Sequence, residues 1–148
     1  MANSILDNPE VRKITIPLSL EAYHDLGKKG YIQEGSELLE GVLIEKMPED
    51  PIHSSIVSRI YKYLLKNLPE NLTVRQENLI SFKDSEPEPD LAIVDSEKTD
   101  YSESHPNYSH LIIEVAKSTI NLDREKARIY SNANIPEYWI INLNNLEI

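Results

Sequence analysis

Two acidic residues stand where an unpartnered charge is expensive. Asp90 follows Pro89 at the head of the apolar run Leu91-Ala92-Ile93-Val94, and Glu114 lies inside Leu111-Ile112-Ile113-Glu114-Val115-Ala116. Burying a carboxylate without a partner costs several kcal/mol, so each needs a reason, and ligation of a divalent cation is one. The alternatives are a loop-ending role for Asp90 and a salt bridge for Glu114. Side chains alternate along a strand, so Glu114 shares its face with Ile112 and Ala116, and Asp90 shares its own with Ala92 and Val94. If the two strands are neighbours, small side chains surround two carboxylates and leave room for a hydrated cation.

The elements that must position this pair follow from periodicity. Ser19 before Leu20, Tyr23 and Leu26, with Gly27 and Gly30 behind, predicts a short capped helix. Residues 37–39 and 42–47 flank the turn-forming Glu40-Gly41 as a hairpin. Asp50-Pro51 supplies a cap and a first-turn proline for a long amphipathic helix ending near Pro69, with Ile52, Ile56, Ile60 and Leu64 as its stripe, widened by Val57 and Leu68. Strands are expected at 72–75, 78–82, 91–94, 111–116 and 137–143, and a second helix at 122–133, stopped by Pro136. Tyr138, Trp139 and Ile140 are assigned to the core. The polar, acidic stretches 83–90 and 95–108 are expected loops.

Leu122, Lys126, Ile129, Tyr130 and Ala133 recur at helical steps, so they form the face that packs on the sheet, with Lys126 its only charge. That lysine must either extend its ammonium to the edge of the face or meet a negative partner, and a helix returning over the sheet brings it towards Glu114. Lys117 is closer in sequence, but strand parity points it away from Glu114 if the strand continues that far. His53 falls in the first turn of the long helix, where the macrodipole favours a neutral, hydrogen-bonding ring. It is read as site-adjacent or as a surface or loop-packing residue.

The 148 residues fit one domain spanning 1–148, with the first 12 or so flexible. Asn144-Asn145 turns the final strand towards a partner that has hardly begun by Ile148, so the chain is expected to be truncated at its C-terminus. Without cysteine there is no disulfide framework, thiolate zinc site or thiol nucleophile, which suits a cytoplasmic protein, and any metal must be held by oxygen or imidazole. The start lacks a secretion signal and no stretch is long enough to span a membrane. A net charge of −10 argues against nucleic-acid binding by bulk electrostatics, so a DNA-binding version of this chain needs a localised basic face. Arg59, Lys62 and Lys66, at helical spacing opposite the apolar stripe, could form one or could be only a solvated face.

Taken in order, Glu37-Leu38-Leu39-Glu40-Gly41, Pro51-Ile52-His53, Glu88-Pro89-Asp90-Leu91-Ala92, Ile113-Glu114-Val115-Ala116, Asp123-Arg124-Glu125-Lys126 with Tyr130, and Ile135-Pro136-Glu137-Tyr138-Trp139 resemble the Uma2 family of restriction-type endonucleases in the PD-(D/E)XK nuclease superfamily. The series is specific where no single segment is. The resemblance implies an α/β fold with a restriction-endonuclease-like mixed central β-sheet flanked by helices. It implies Asp90 and Glu114 as ligands of Mg²⁺ or Mn²⁺, joined by the carbonyl oxygen of Val115, with Glu37 as the upstream acid. The superfamily lysine would stand two residues after Glu114, where this chain has Ala116; Lys126 matches branches in which it has moved to the following helix. Gln76 resembles a glutamine common at that place, the other reading being an exposed polar strand residue.

The function this implies is metal-dependent cleavage of DNA, for which a homodimer would suit double-strand cutting. A catalytically silent binding module of the same fold, or a metal-dependent phosphoesterase on small substrates, are the rivals.

Overall fold

The computed structural model describes residues 4–96 and 101–148. The first three residues of the N-terminal stretch and residues 97–100 of the loop expected at 95–108 lie outside it. A 3₁₀ turn at Ile5–Asp7 and the one-turn helix α1 (Pro9–Arg12) precede α2 (Leu20–Lys28), whose first turn is capped by the Ser19 hydroxyl accepting from Ala22 N–H. β1 (Ser36–Leu39) and β2 (Val42–Glu45) form an antiparallel hairpin that is a sheet of its own. Its turn holds Glu40 and Gly41 both at positive φ, +50° and +77°, the conformation of a tight two-residue hairpin loop.

α3 (Pro51–Asn67) starts where expected, with the Asp50 carboxylate accepting from His53 N–H and Pro51 in the first turn. Its buried face is offset from the expected stripe: Ile52 is 53% exposed, while His53 and Val57 face inwards with Ile56, Ile60 and Leu64 beside them. A histidine thus takes the innermost position of the first turn because it has polar partners there.

β3 (Leu72–Gln76), β4 (Leu91–Asp95), β5 (Leu111–Ala116) and β6 (Tyr138–Asn142) form one mixed sheet in that order, antiparallel except for the parallel β5–β6 pair joined by the crossover helix α4 (Ile120–Asn132). This is the expected α/β arrangement of a mixed central sheet flanked by helices. One apolar cluster gathers Val57 of α3 with Val74, Leu91, Ile93, Leu111, Ile113 and Val115. The second gathers Ala92, Val94 and Ile112 with Ile80, Tyr130 and Ile135. All six residues of β5 are buried, so both faces of the central strand are covered.

Two further expectations fail. Residues 78–82 are not a strand: Ile80 and Phe82 donate to Pro87 and Ser85, but the opposing segment carries Pro87 and Pro89, which have no N–H to return, and no ladder forms. Trp139 is not in the core. β6 is an edge strand, and its Trp139 is 41% exposed. Among the described residues no helix is long and apolar enough to cross a membrane.

Candidate active site

Register brings the two carboxylates together. Leu91 pairs with Ile113 in the antiparallel β4–β5 ladder, so one step further Asp90 faces Glu114. Asp90 N–H donates to Glu114 Oε2 at 3.1 Å, and Val115 N–H donates to Asp90 Oδ2 at 2.7 Å. Parity holds along both strands: Ile112, Ala92 and Val94 join the α4-side cluster, and Glu114 looks the same way. The surroundings are more charged than the small neighbours suggested, because helices and hairpin add ionisable groups above the strand ends.

α4 carries Lys126 over that face. Its Nζ donates to Glu114 Oε1 at 3.1 Å and to Glu37 Oε1 at 3.0 Å, and the lysine is 4% exposed. Glu37 comes from β1, opposite Ile44 in the hairpin register, and its Oε1 also accepts from Glu88 N–H. The Tyr130 hydroxyl, one turn beyond Lys126, donates to Glu114 Oε1 at 3.3 Å. Lys126 is not the only charge on the buried stripe. Asp123, one turn earlier, is 4% exposed, accepts from the Thr119 hydroxyl at 2.7 Å, and lies 3.9 Å from Lys126 Nζ. Its spacing of three from Lys126 was the signal, obscured by assigning Leu122 to the stripe.

His53 reaches Asp90 from the first turn of α3. Nε2 is 3.1 Å from Asp90 Oδ2, and Nδ1 is 3.0 Å from Glu49 Oε2. The hydrogen bond to Asp90, foremost, and the adjacent Glu49 carboxylate outweigh burial and push the imidazole pKa up to about 10, which favours the protonated ring over the neutral form expected from the macrodipole alone. Two adjacent carboxylates outweigh a helix end. Glu49 was not among the residues singled out from the sequence, although it stands four before His53. Burial, foremost, then the nearby carboxylates against the pull of Lys126, pushes the Glu114 carboxyl up to about 8.

All of these ionisable residues except Tyr130 line a cavity of about 110 Å³, which Val115 and Lys117 also border. Lys117 pairs with Asp50, the cap of α3, rather than with Glu114; β5 ends at Ala116, so strand parity does not extend to it. Lys46, absent from the expected set, pairs with Glu88 at 2.8 Å at the rim. Gln76 ends β3 opposite Leu91 and is not brought into the cavity. The arrangement offers a cation several oxygen donors and one imidazole in a partly enclosed cleft. Glu49, His53 and Asp90 each present a ligand atom within 4.8 Å of the others. His53 Nδ1 is buried without an aligned hydrogen-bond partner, a group that a bound ion's coordination would orient. The donor set therefore fits a divalent metal.

A family model described as "Putative restriction endonuclease" matches residues 20–148. A crystal structure of a "putative nuclease belonging to DUF820" from Anabaena variabilis ATCC 29413 superposes with a TM-score of 0.67 at 18% identity, over 85% of this chain and 74% of that one. At that identity the likeness speaks to the fold. Among curated proteins none matches the chain.

Proposed function

The chain belongs to the Uma2 family, and from that premise we propose that it is a metal-dependent endonuclease hydrolysing phosphodiester bonds in DNA. The observation that supports this reading most directly is the meeting of Asp90 and Glu114 at the β4–β5 strand ends with the Lys126 ammonium hydrogen-bonded to Glu114. Asp90 and Glu114, with the Val115 carbonyl oxygen, would hold Mg²⁺ or Mn²⁺. Such an ion supplies Lewis-acid polarisation of the scissile phosphate and lowers the pKa of an attacking water.

The chain's own groups do the rest. Val115 N–H and His53 fix Asp90 by two hydrogen bonds to one oxygen, so the carboxylate does not reorganise when substrate arrives. Glu37 and Glu114 hold the Lys126 ammonium in place, where it orients the nucleophilic water and offsets negative charge developing on the phosphate. Tyr130 donates to the same Glu114 oxygen as Lys126 and adds a second restraint on the carboxyl. One observation favours a second reading, a phosphoesterase on small substrates: the net charge of −10 suits a small ligand better than a polyanion.

Cleavage of plasmid DNA with Mg²⁺ or Mn²⁺, comparing wild type with Asp90→Ala, tests the proposal. Wild type should cut and the variant should not. Equal cleavage would refute it, and hydrolysis of nucleotides but not of plasmid would favour the second reading.

A further inference from the structure

His53 is the one buried imidazole at the site, and the reaction outlined above uses it only to hold Asp90. Its ring lies between two carboxylates, with Nε2 3.1 Å from Asp90 Oδ2 and Nδ1 3.0 Å from Glu49 Oε2. An acidic cluster alone would carry little meaning. Here, however, the ring is 7% exposed and Nδ1 sits against Glu49 off the line of a hydrogen bond. A buried polar atom left unsatisfied costs about 1–3 kcal/mol, so the geometry is not that of an ion pair optimised for its own sake. Ligand atoms of Glu49, His53 and Asp90 nevertheless converge within 4.8 Å.

We propose that His53, releasing its Nε2 proton to solvent and exchanging its hydrogen bond to Asp90 for the ion, is a metal ligand through Nε2, beside Asp90, and that Glu49 orients the ring by accepting from Nδ1–H. The inference rests on the metal-dependent reading above and adds a nitrogen donor, supplied by α3, to a set otherwise made of oxygens. A carboxylate on the far nitrogen of a ligating histidine fixes its tautomer and raises its basicity, and a small turn of the ring would align Nδ1–H with Glu49. Selectivity follows from donor chemistry. Oxygen-only sites suit Mg²⁺, whereas an imidazole tilts a site towards first-row transition ions, so this protein should favour Mn²⁺ over Mg²⁺.

The test is Mn²⁺ and Mg²⁺ binding to the full chain by calorimetry, with pulsed EPR of the Mn²⁺ form and no substrate present. Wild type should bind Mn²⁺ more tightly than Mg²⁺ and show the ¹⁴N hyperfine coupling of a directly bound imidazole. His53→Ala should abolish that coupling and weaken Mn²⁺ at least roughly tenfold, with a smaller effect on Mg²⁺, and Glu49→Gln should keep the coupling while weakening Mn²⁺ about tenfold. Mn²⁺ bound by wild type without ¹⁴N coupling, and lost in Asp90→Ala, would overturn the role of His53 while leaving the metal-dependent reading intact; it would do so even if His53→Ala did not fold. Absence of Mn²⁺ and Mg²⁺ binding to wild type, or Mn²⁺ binding unchanged in Asp90→Ala, would overturn the reading beneath it.

Discussion

Glu114 carries the sharpest conflict among the side chains, because its carboxyl is buried beside three other acids and one lysine. Burial is the largest cause of its raised pKa, about 8 against an ordinary 4.5, and His53 rises from 6.5 to about 10 through the adjacent carboxylates of Asp90 and Glu49. A group whose pKa is higher folded than unfolded contributes stability that is complete below its ordinary pKa and lost as pH rises through the folded value. For Glu114 that window runs from 4.5 to about 8, and for His53 from 6.5 to about 10. The lowered carboxyls of Glu49 and Asp50 act on the acid side instead, weakening the fold as pH falls through their folded values. In EDTA the melting temperature should therefore decline between roughly pH 5 and pH 10; a rise across that range would mean Glu114 is ionised in the native protein. The lysine is tested by rate. Lys126→Met should bind metal yet cleave on the order of 10² more slowly, and Lys117→Met, whose residue pairs with Asp50 outside the carboxylate pair, should cost far less. Cleavage near wild type for the first and lost for the second would reverse the assignment. Parity and helical spacing made the meeting of Asp90, Glu114 and Lys126 legible in the sequence. Glu49 was not legible, because it precedes the helix in an acidic turn where charges are ordinarily solvated, and its approach to His53 depends on how Asp50 caps α3.

Helices and hairpin do for the site what the strands alone cannot, since Glu37, His53 and Lys126 come from three elements outside the sheet. The hairpin turn is the most demanding of these. A Cβ built on Gly41 would lie 2.3 Å from Pro17 Cβ and 2.9 Å from Pro17 Cα, at φ +77°, so both sterics and backbone require glycine. Gly41→Ala should destabilise the protein by about 1–3 kcal/mol in urea unfolding and loosen the hairpin that carries Glu37. Gly27, within α2, has nothing within 4 Å of a built Cβ, and Gly27→Ala should be neutral or stabilise by up to about 1 kcal/mol. Equal losses at both positions would remove the special status of the turn. Local chemistry of this kind explains why the caps at Ser19 and Asp50, the Glu40-Gly41 turn and the run 111–116 could be read from the sequence. The failures were long-range. Trp139 is exposed because β6 closes the edge of the sheet, and strand order is set by pairing that no local pattern encodes. Residues 78–82 have strand-like composition but face prolines, which only the fold reveals.

At the scale of the whole molecule the difficulty is a net charge of −10 on a protein proposed to bind a polyanion. Overall charge governs long-range steering, whereas affinity for duplex DNA depends on the cations that meet phosphates and release counterions. Arg59, Lys62 and Lys66 are exposed on α3, and among the described residues none has an ion-pair partner that would have to be given up. They share a helix with His53, so a duplex lying along α3 would bring its backbone towards the cleft at the helix N-terminus. Each phosphate contact contributes a slope of about −0.9 to the dependence of log affinity on log salt. Replacing all three by alanine should therefore flatten the slope by roughly 0.9 for every side chain that touches phosphate, and weaken binding without regard to sequence. Fluorescence anisotropy with an Asp90→Ala background, which separates binding from cleavage, reads both quantities from one titration series. A steep slope that survives the triple substitution would place the DNA on another face, and the absence of any slope in the parent would return the acidic surface to its simplest meaning, a small-substrate enzyme.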